Sequence, residues 1–327
     1  MTAPRSASPD PTTPPHRGGR KGTSRARSLR VPPALMRQGI RQLGRHVLDP
    51  ALDWEVQRRR FDQVMRTSLM PRGTSVTESM LDGVPAEVVT AAAAACPGRT
   101  VVHFHGGGYC LGSTRMMRTW AARLSAQAAC RVVVPEYRLA PAHAYPAALD
   151  DARAVLTALL SEADPASIVV SGDSAGAGLA LALALAMRDA GGKVPAGCIL
   201  MSPWLDLAID RWAKPALVRK DVLLSPAWLE ACAAAYADPS QWPDPAVSPL
   251  RASHEGLPPL LIQAASDDLL APDAELLATG AAKASVDVTY TRWPDMWHDF
   301  ALLPGLVSAA DSALSQTAWF VTTVTSG

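Results

Sequence analysis

The period at which apolar positions recur changes several times along the chain, and the changes divide it. From residue 33 to about 70 apolar residues fall every three or four positions. Leu35, Ile40, Leu43 and Val47 form one stripe, and Trp54, Val56, Phe61, Val64 and Met65 a second, among many arginines, which predicts two amphipathic helices. After Pro71-Arg72-Gly73 the pattern turns to short β-branched runs, predicting strands over residues 75–81, 86–90 and 100–104, the first pair joined through Asp82-Gly83. Helix and strand patterns then alternate: helix 116–129, strand 131–135, helix 147–160, strand 168–170, helix 174–190 closed by Gly191-Gly192, and strand 197–201. From 203 to about 257 the alternation stops. This stretch carries many prolines, one predicted helix over 226–236, and Trp204, Trp212, Trp228 and Trp242, four of the nine tryptophans. It resumes with strand 260–263, helix 273–284, strand 286–292 and a closing helix over 309–324. Alternation of this kind requires right-handed crossovers, so the fold class is α/β, with a mostly parallel sheet of eight strands and helices on both faces.

The expected organisation has five parts. Residues 1–33 form a basic tail of Pro, Ser, Thr, Gly and Arg that lacks the apolar surface to order itself and has no apolar core of a secretory signal. Residues 34–72 supply two helices that lie over a site or pad the sheet, and 73–202 the first part of the α/β core. Residues 203–257 form an aromatic-rich insertion suited to capping an apolar substrate, with an inert cover as the alternative, and 258–327 complete the core.

Composition narrows the classes. With 327 residues, 48% hydrophobic and 19% charged, the chain buries one large core or two modest ones. A net charge of +1 gives no pull toward nucleic acid, and no segment holds the roughly 18 unbroken apolar residues of a membrane span. Cys96, Cys110, Cys130, Cys198 and Cys232 are odd in number and widely spaced, which reads as free thiols in a reducing, cytoplasmic setting and no metal site. A small-molecule partner follows, with a homodimer left open.

The chemistry gathers at Ser171-Gly172-Asp173-Ser174-Ala175-Gly176. A β-branched strand turns abruptly into an apolar helix there, and Gly172, Ser174 and Gly176 fit G-x-S-x-G, in which small flanking residues hold the middle serine strained and exposed. Ser174 is the candidate nucleophile, and Ala175 places a backbone N–H at the first helical turn, where a developing oxyanion is favoured. Strand 100–104 runs into His105-Gly106-Gly107-Gly108-Tyr109, where consecutive glycines let backbone donors approach a ligand. His105 reads as a brace of that loop and His103 as a strand residue. A serine hydroxyl needs a base and the base needs a carboxylate. Of seven histidines, His298 alone follows a predicted late strand, with Asp267 and Asp268 at the end of the strand before it. The order Ser174, Asp267, His298 is that of α/β-hydrolases. Asp267 is preferred over Asp268 because it follows the strand more closely, and Asp299 is a third candidate whose adjacency makes it hard to aim at the far ring nitrogen.

These residues carry a resemblance. His105-Gly106-Gly107-Gly108-Tyr109, Tyr137-Arg138-Leu139-Ala140-Pro141 with His143 and Pro146-Ala147-Ala148, Gly172-Asp173-Ser174-Ala175-Gly176, Gly256-Leu257-Pro258-Pro259 and Trp297-His298 resemble the bacterial hormone-sensitive-lipase-like esterases over about residues 55–320. The resemblance implies a capped α/β-hydrolase that cleaves short acyl esters without a cofactor. It implies Ser174, Asp267 and His298 as the triad, and the N–H groups of Gly107, Gly108 and Ala175 as the oxyanion hole. His105, Gly106, Gly172, Asp173 and Gly176 would support the motifs. Glu136, where the family often has Asp, and Ala142, within a segment that usually reads Ala-Pro-Glu-His, depart from the pattern and bear on ion pairing below the site. A deacetylase of an acetylated natural product uses the same triad. A hormone-binding relative that has lost its histidine is the reading from another class, and the presence of His298 weighs against it.

Overall fold

The structure, a computed structural model, describes residues 31–65, 70–94, 98–208 and 214–326. The expected basic tail therefore lies, up to residue 30, outside the described residues. Eight strands form a single sheet: β1 (Thr74–Leu81), β2 (Val84–Ala91), β3 (Thr100–Phe104), β4 (Arg131–Pro135), β5 (Ile168–Asp173), β6 (Gly197–Met201), β7 (Leu260–Ala265) and β8 (Val288–Trp293). Their order is β1-β2-β4-β3-β5-β6-β7-β8. β1 and β2 pair antiparallel, β2 meets β4 antiparallel, and every later pairing is parallel. The chain is an α/β protein with a mostly parallel eight-stranded sheet, as its alternation predicts.

Period-two burial divides the central strands between two cores. Val102, Phe104, Ile168, Val170, Cys198 and Leu200 face one, which holds helices α4 (Ala147–Glu162), α5 (Ala175–Asp189) and α8 (Ala271–Lys283). Val101, Val169, Ile199 and Met201 face the other, under α3 (Thr114–Ala128) and α9 (Ser308–Val324). Helices on both faces remove the central strands from water, which is why these strands read as continuous apolar runs rather than as alternations.

Two boundaries moved for physical reasons. β5 continues through Asp173 because Ser171 and Gly172 keep their pairing with His103 and Phe104, and ladder hydrogen bonds do not require apolar side chains. Within 203–257 a short helix α6 (Pro215–Lys220) precedes α7 (Pro226–Tyr236); proline at the first helical position and Arg219-Lys220 in the last turn suit both of its ends. Ahead of the sheet, α1 (Pro33–Val47) and α2 (Trp54–Met65) form as the two stripes predict. Trp204 is buried behind the β5–α5 turn, where its N–H donates to the carbonyl of Ser174 at 3.0 Å, whereas Trp228 lies over the carboxyl ends of the strands; Trp212 lies outside the described residues.

Candidate active site

β5 ends at Asp173 and α5 begins at Ala175, leaving one residue to reverse the chain. Ser174 does so with φ 52° and ψ −121°, a left-handed backbone that costs a non-glycine residue on the order of 1–3 kcal/mol. The turn closes because its flanks are bare: a Cβ on Gly172 would run into the backbone of Gly176, and one on Gly176 into the carbonyls of Phe104 and His105. Those steric facts, rather than any side-chain bond, aim the Ser174 hydroxyl away from the sheet.

The hydroxyl meets His298. Ser174 Oγ lies 3.0 Å from His298 Nε2, and His298 Nδ1 lies 3.0 Å from Asp268 Oδ2. With a proton on Nδ1 donated to that carboxylate, Nε2 is left to accept from the serine. The carboxylate at the ring is therefore that of Asp268, which corrects the expectation at Asp267. The reason is local. Asp267 extends the edge of the strand, its N–H donating to the Met296 carbonyl at 3.0 Å, and its side chain points outward to Arg37 at 3.0 Å and Lys220 at 3.6 Å. The next residue turns inward. Asp268 Oδ1 accepts the N–H of Leu270 at 2.8 Å, an Asx turn leading into α8 that leaves Oδ2 for the imidazole. Burial alone would lower the pKa of His298, but the carboxylates of Asp268 and Asp299 outweigh it and hold the ring well above its ordinary value.

The glycine loop is tied to the serine turn by one buried carboxylate. Asp173 Oδ2 accepts the N–H of Gly106 at 3.0 Å, and its Oδ1 lies 2.9 Å from His103 Nε2. His103 is in β3, as its place in the sequence predicts, and its other nitrogen lies 3.0 Å from Ser171 Oγ. His105 stacks on Tyr137 at 4.4 Å, and the Tyr137 hydroxyl donates to the His105 carbonyl at 2.6 Å, so this histidine braces the loop. Burial lowers its pKa. Gly107 turns the loop with φ 116°, where a side chain would strike Leu111, and it lines the same cavity as Ser174 and His298. Among the described residues none accepts from the N–H of Gly107 or Gly108. Ala175 opens α5 directly after the serine.

That cavity holds about 150 Å³. Its far wall is α1 and α2 through Ile40, Leu43, Val47 and Phe61, and its sides include Leu223, Trp228 and Leu303. Both expected covering regions thus border one apolar space with the serine at its floor.

Three residues that hold the site give no signal in the sequence. Asp221 accepts the N–H groups of Leu223 and Leu224 with one oxygen, at 2.8 and 2.9 Å, and that of Leu269 with the other, at 2.8 Å, joining the cavity wall to the turn that carries Asp268. On α2, Gln57 accepts from the Trp228 indole at 2.9 Å, and Arg58 donates to the carbonyls of Cys110 and Ala140 at 2.8 and 2.6 Å. Gln57 and Arg58 sit in the polar run Gln57-Arg58-Arg59-Arg60 and Asp221 follows Arg219-Lys220, so nothing local singles them out, and only a partner more than 40 positions away in each case gives them meaning. Glu136, one of the two departures, accepts the N–H of Thr114 at the start of α3 at 2.8 Å.

An eight-stranded sheet with a serine at the sharp turn after β5, facing an imidazole and a carboxylate from the last two strand ends, defines an α/β-hydrolase. A family model described as alpha/beta hydrolase fold matches residues 101–302, and the chain belongs to that family. LipR of Mycobacterium tuberculosis is 41% identical over 247 residues, spanning 75% of this chain and 79% of that protein. An acetyl-hydrolase of Streptomyces hygroscopicus is 38% identical over 62% of this chain and 68% of its own length, and an esterase of Acinetobacter venetianus 36% identical over 81% and 87%. The crystal structure of an esterase from the bacterial hormone-sensitive lipase family superposes with a TM-score of 0.85 at 29% identity, covering 93% of this chain and all of that one. Among the described residues no helix is long and apolar enough to cross a membrane, and no group of His, Cys, Asp and Glu is placed to hold a metal.

Proposed function

We propose that the chain hydrolyses carboxylic esters of short to medium acyl chain through an acyl-enzyme on Ser174. The observation that carries this reading is the 3.0 Å approach of Ser174 Oγ to His298 Nε2, with Asp268 at 3.0 Å on the opposite ring nitrogen. As Ser174 Oγ attacks the ester carbonyl, its proton passes to Nε2, and Asp268 stabilises the imidazolium. The oxyanion is held by backbone N–H groups of Gly107, Gly108 and Ala175. Nε2–H then protonates the leaving alcohol, and water repeats the sequence on the acyl-enzyme. His105, Gly106, Gly172, Asp173 and Gly176 act by holding the loop and the turn in register. α1, α2 and the Leu223–Trp228 stretch serve as the cap, and the apolar cavity receives the acyl chain.

A second reading, hydrolysis of an N- or O-acetyl group, is favoured by the small cavity and by the similarity to an acetyl-hydrolase. The four described cysteines, Cys110, Cys130, Cys198 and Cys232, are free and buried, which supports a cytoplasmic setting. Release of p-nitrophenol from p-nitrophenyl acetate and butyrate tests the assignment. Ser174→Ala should lose it by about 10⁴-fold or more, and turnover retained in that variant rules the nucleophile out. Parallel assays on N-acetyl compounds separate the two readings.

A further inference from the structure

His298 is approached by two carboxylates, not one. Asp268 lies on Nδ1, and Asp299 Oδ2 lies 3.2 Å from Nε2, the same nitrogen that Ser174 Oγ approaches at 3.0 Å. Asp299 is fixed there. Its backbone is left-handed, with φ 57°, and its N–H donates to Ser202 Oγ at 3.1 Å. Its side chain lines the cavity, and its Oδ1 finds no partner among the described residues. A neighbour in the sequence reaches the distal ring nitrogen because the left-handed turn folds its side chain back across the imidazole.

We propose that Asp299 is a positioning residue that competes with Ser174 for Nε2 and thereby sets the pH above which the serine is activated; this rests on the reading of Ser174 and His298 given above. Two arrangements share the site. In one, Nε2 carries a proton beside the Asp299 carboxylate, and the ring cannot take another from the serine. In the other that proton has gone to bulk water, Asp299 is a carboxylate, Nδ1–H still donates to Asp268, and the Nε2 lone pair faces the Ser174 hydroxyl. Only the second is competent for attack.

The surrounding charges favour retaining the proton on Nε2. Asp299 faces Asp173 at the end of β5, Asp268 before α8 and His298 in its own loop, and Asp221 stands beside Asp268 and His298. The cation on the neighbouring helix, Arg37, is engaged by Asp267 and by the carbonyls of Asp295 and Lys220. Burial raises the Asp299 carboxyl to about 7, against the pull of His298, and Asp173 and Asp268 add to the rise. A proton added to this group is therefore held to higher pH than either His298 or Asp299 would hold it in water.

The test uses the full chain with isotope-labelled histidine, the His298 signal being the one lost in His298→Asn. Asparagine keeps the shape of aspartate and tolerates left-handed backbone, so Asp299→Asn is the first variant and Asp299→Ala the second. The His298 titration midpoint should fall by about one pH unit or more in both. For p-nitrophenyl acetate, kcat/KM of the variant relative to wild type should be about tenfold higher at pH 6 than at pH 9, since one pH unit is tenfold in protonation. A purely structural role would change both pH values equally. An unmoved His298 midpoint in both variants overturns the proposal. A shifted midpoint in a protein whose wild type cleaves no ester supports the Asp299 pairing and sinks the esterase reading instead.

Discussion

The guanidinium of Arg37 on α1 stands 3.0 Å from the carboxylate of Asp267, one residue before the carboxylate that holds His298. The same guanidinium donates to the carbonyls of Asp295 and Lys220 at 3.1 and 3.2 Å, so a helix from the start of the chain is latched to the loop that carries the base. The latch is partly exposed, and pairs of that kind contribute at most about 1 kcal/mol. Arg37→Ala should lower the thermal midpoint by a few degrees and raise KM more than it lowers kcat. A large fall in kcat with KM unchanged would contradict a covering role for α1.

The two adjacent aspartates separate cleanly by substitution. Asp268→Asn leaves the ring without a carboxylate and should lower kcat by about 10⁴-fold, the loss typical when a triad acid becomes an amide. Asp267→Asn removes only the outward pair and should stay within about threefold of wild type on p-nitrophenyl acetate. Reversal of the two effects would restore the assignment that strand position alone favours.

Asp173 joins the glycine loop to the serine turn through Gly106 and is wholly buried beside His103. Asp173→Ala should release the loop and cost about 10²–10³ in kcat, the loss expected for a misplaced oxyanion donor. Buried His103 also loses its partner, so the melting temperature should drop in the same variant. A variant that melts early yet turns over normally would detach the loop's position from catalysis.

Asp221 has a pKa raised by burial, and then by Asp268, from its ordinary 3.8 to about 6. A carboxyl raised on folding keeps a proton between about pH 4 and pH 6 that the unfolded chain has released. Its contribution to stability is therefore complete below about pH 4 and is lost as pH rises through about 6. Asparagine at this position cannot ionise, and it turns an amide toward the Leu269 N–H. Asp221→Asn should be less stable overall, but its deficit against wild type should shrink between pH 4.5 and pH 7 in urea titrations. A deficit that grows over that interval contradicts the direction of the shift.

Chain-length preference belongs to the cavity wall. Bulky apolar side chains, among them Leu43, Phe61, Leu223 and Trp228, close in on Ser174, so acetate and butyrate esters should exceed octanoate in kcat/KM. Leu223→Ala opens the side where α1 passes closest, at Gly44, and should shift the ratio toward hexanoate and octanoate by about tenfold. An unchanged profile would place the acyl chain elsewhere.

Much of this was legible in the sequence because it rests on local rules. The strand and helix runs declare themselves by period, and the serine turn by its glycines, since no other residue fits Gly172 and Gly176. His298 could be picked out because it alone follows a late strand. What escaped depends on which way a side chain leaves a turn. Asp267 and Asp268 differ by one position, and the Asx bond from Asp268 to Leu270, invisible in composition, decides which of them meets the ring. Adjacency keeps Asp299 off the ring nitrogen remote from Ser174, which goes to Asp268, but no sequence rule gives the left-handed φ of 57° that brings it to Nε2, on the serine's own side. Gln57 and Arg58 meet their partners far along the chain, and the local turn at Asp221 says nothing of its bond to Leu269.

The backbone at residue 174 has a further consequence. Glycine is at ease where Ser174 is held at φ 52°, so the replacement that removes the hydroxyl most completely is also one the architecture welcomes. Such a molecule should melt higher and keep its oily hollow while lacking the group that attacks. The hydroxyl is thus carried on a backbone that its own residue type disfavours and that glycine would relax.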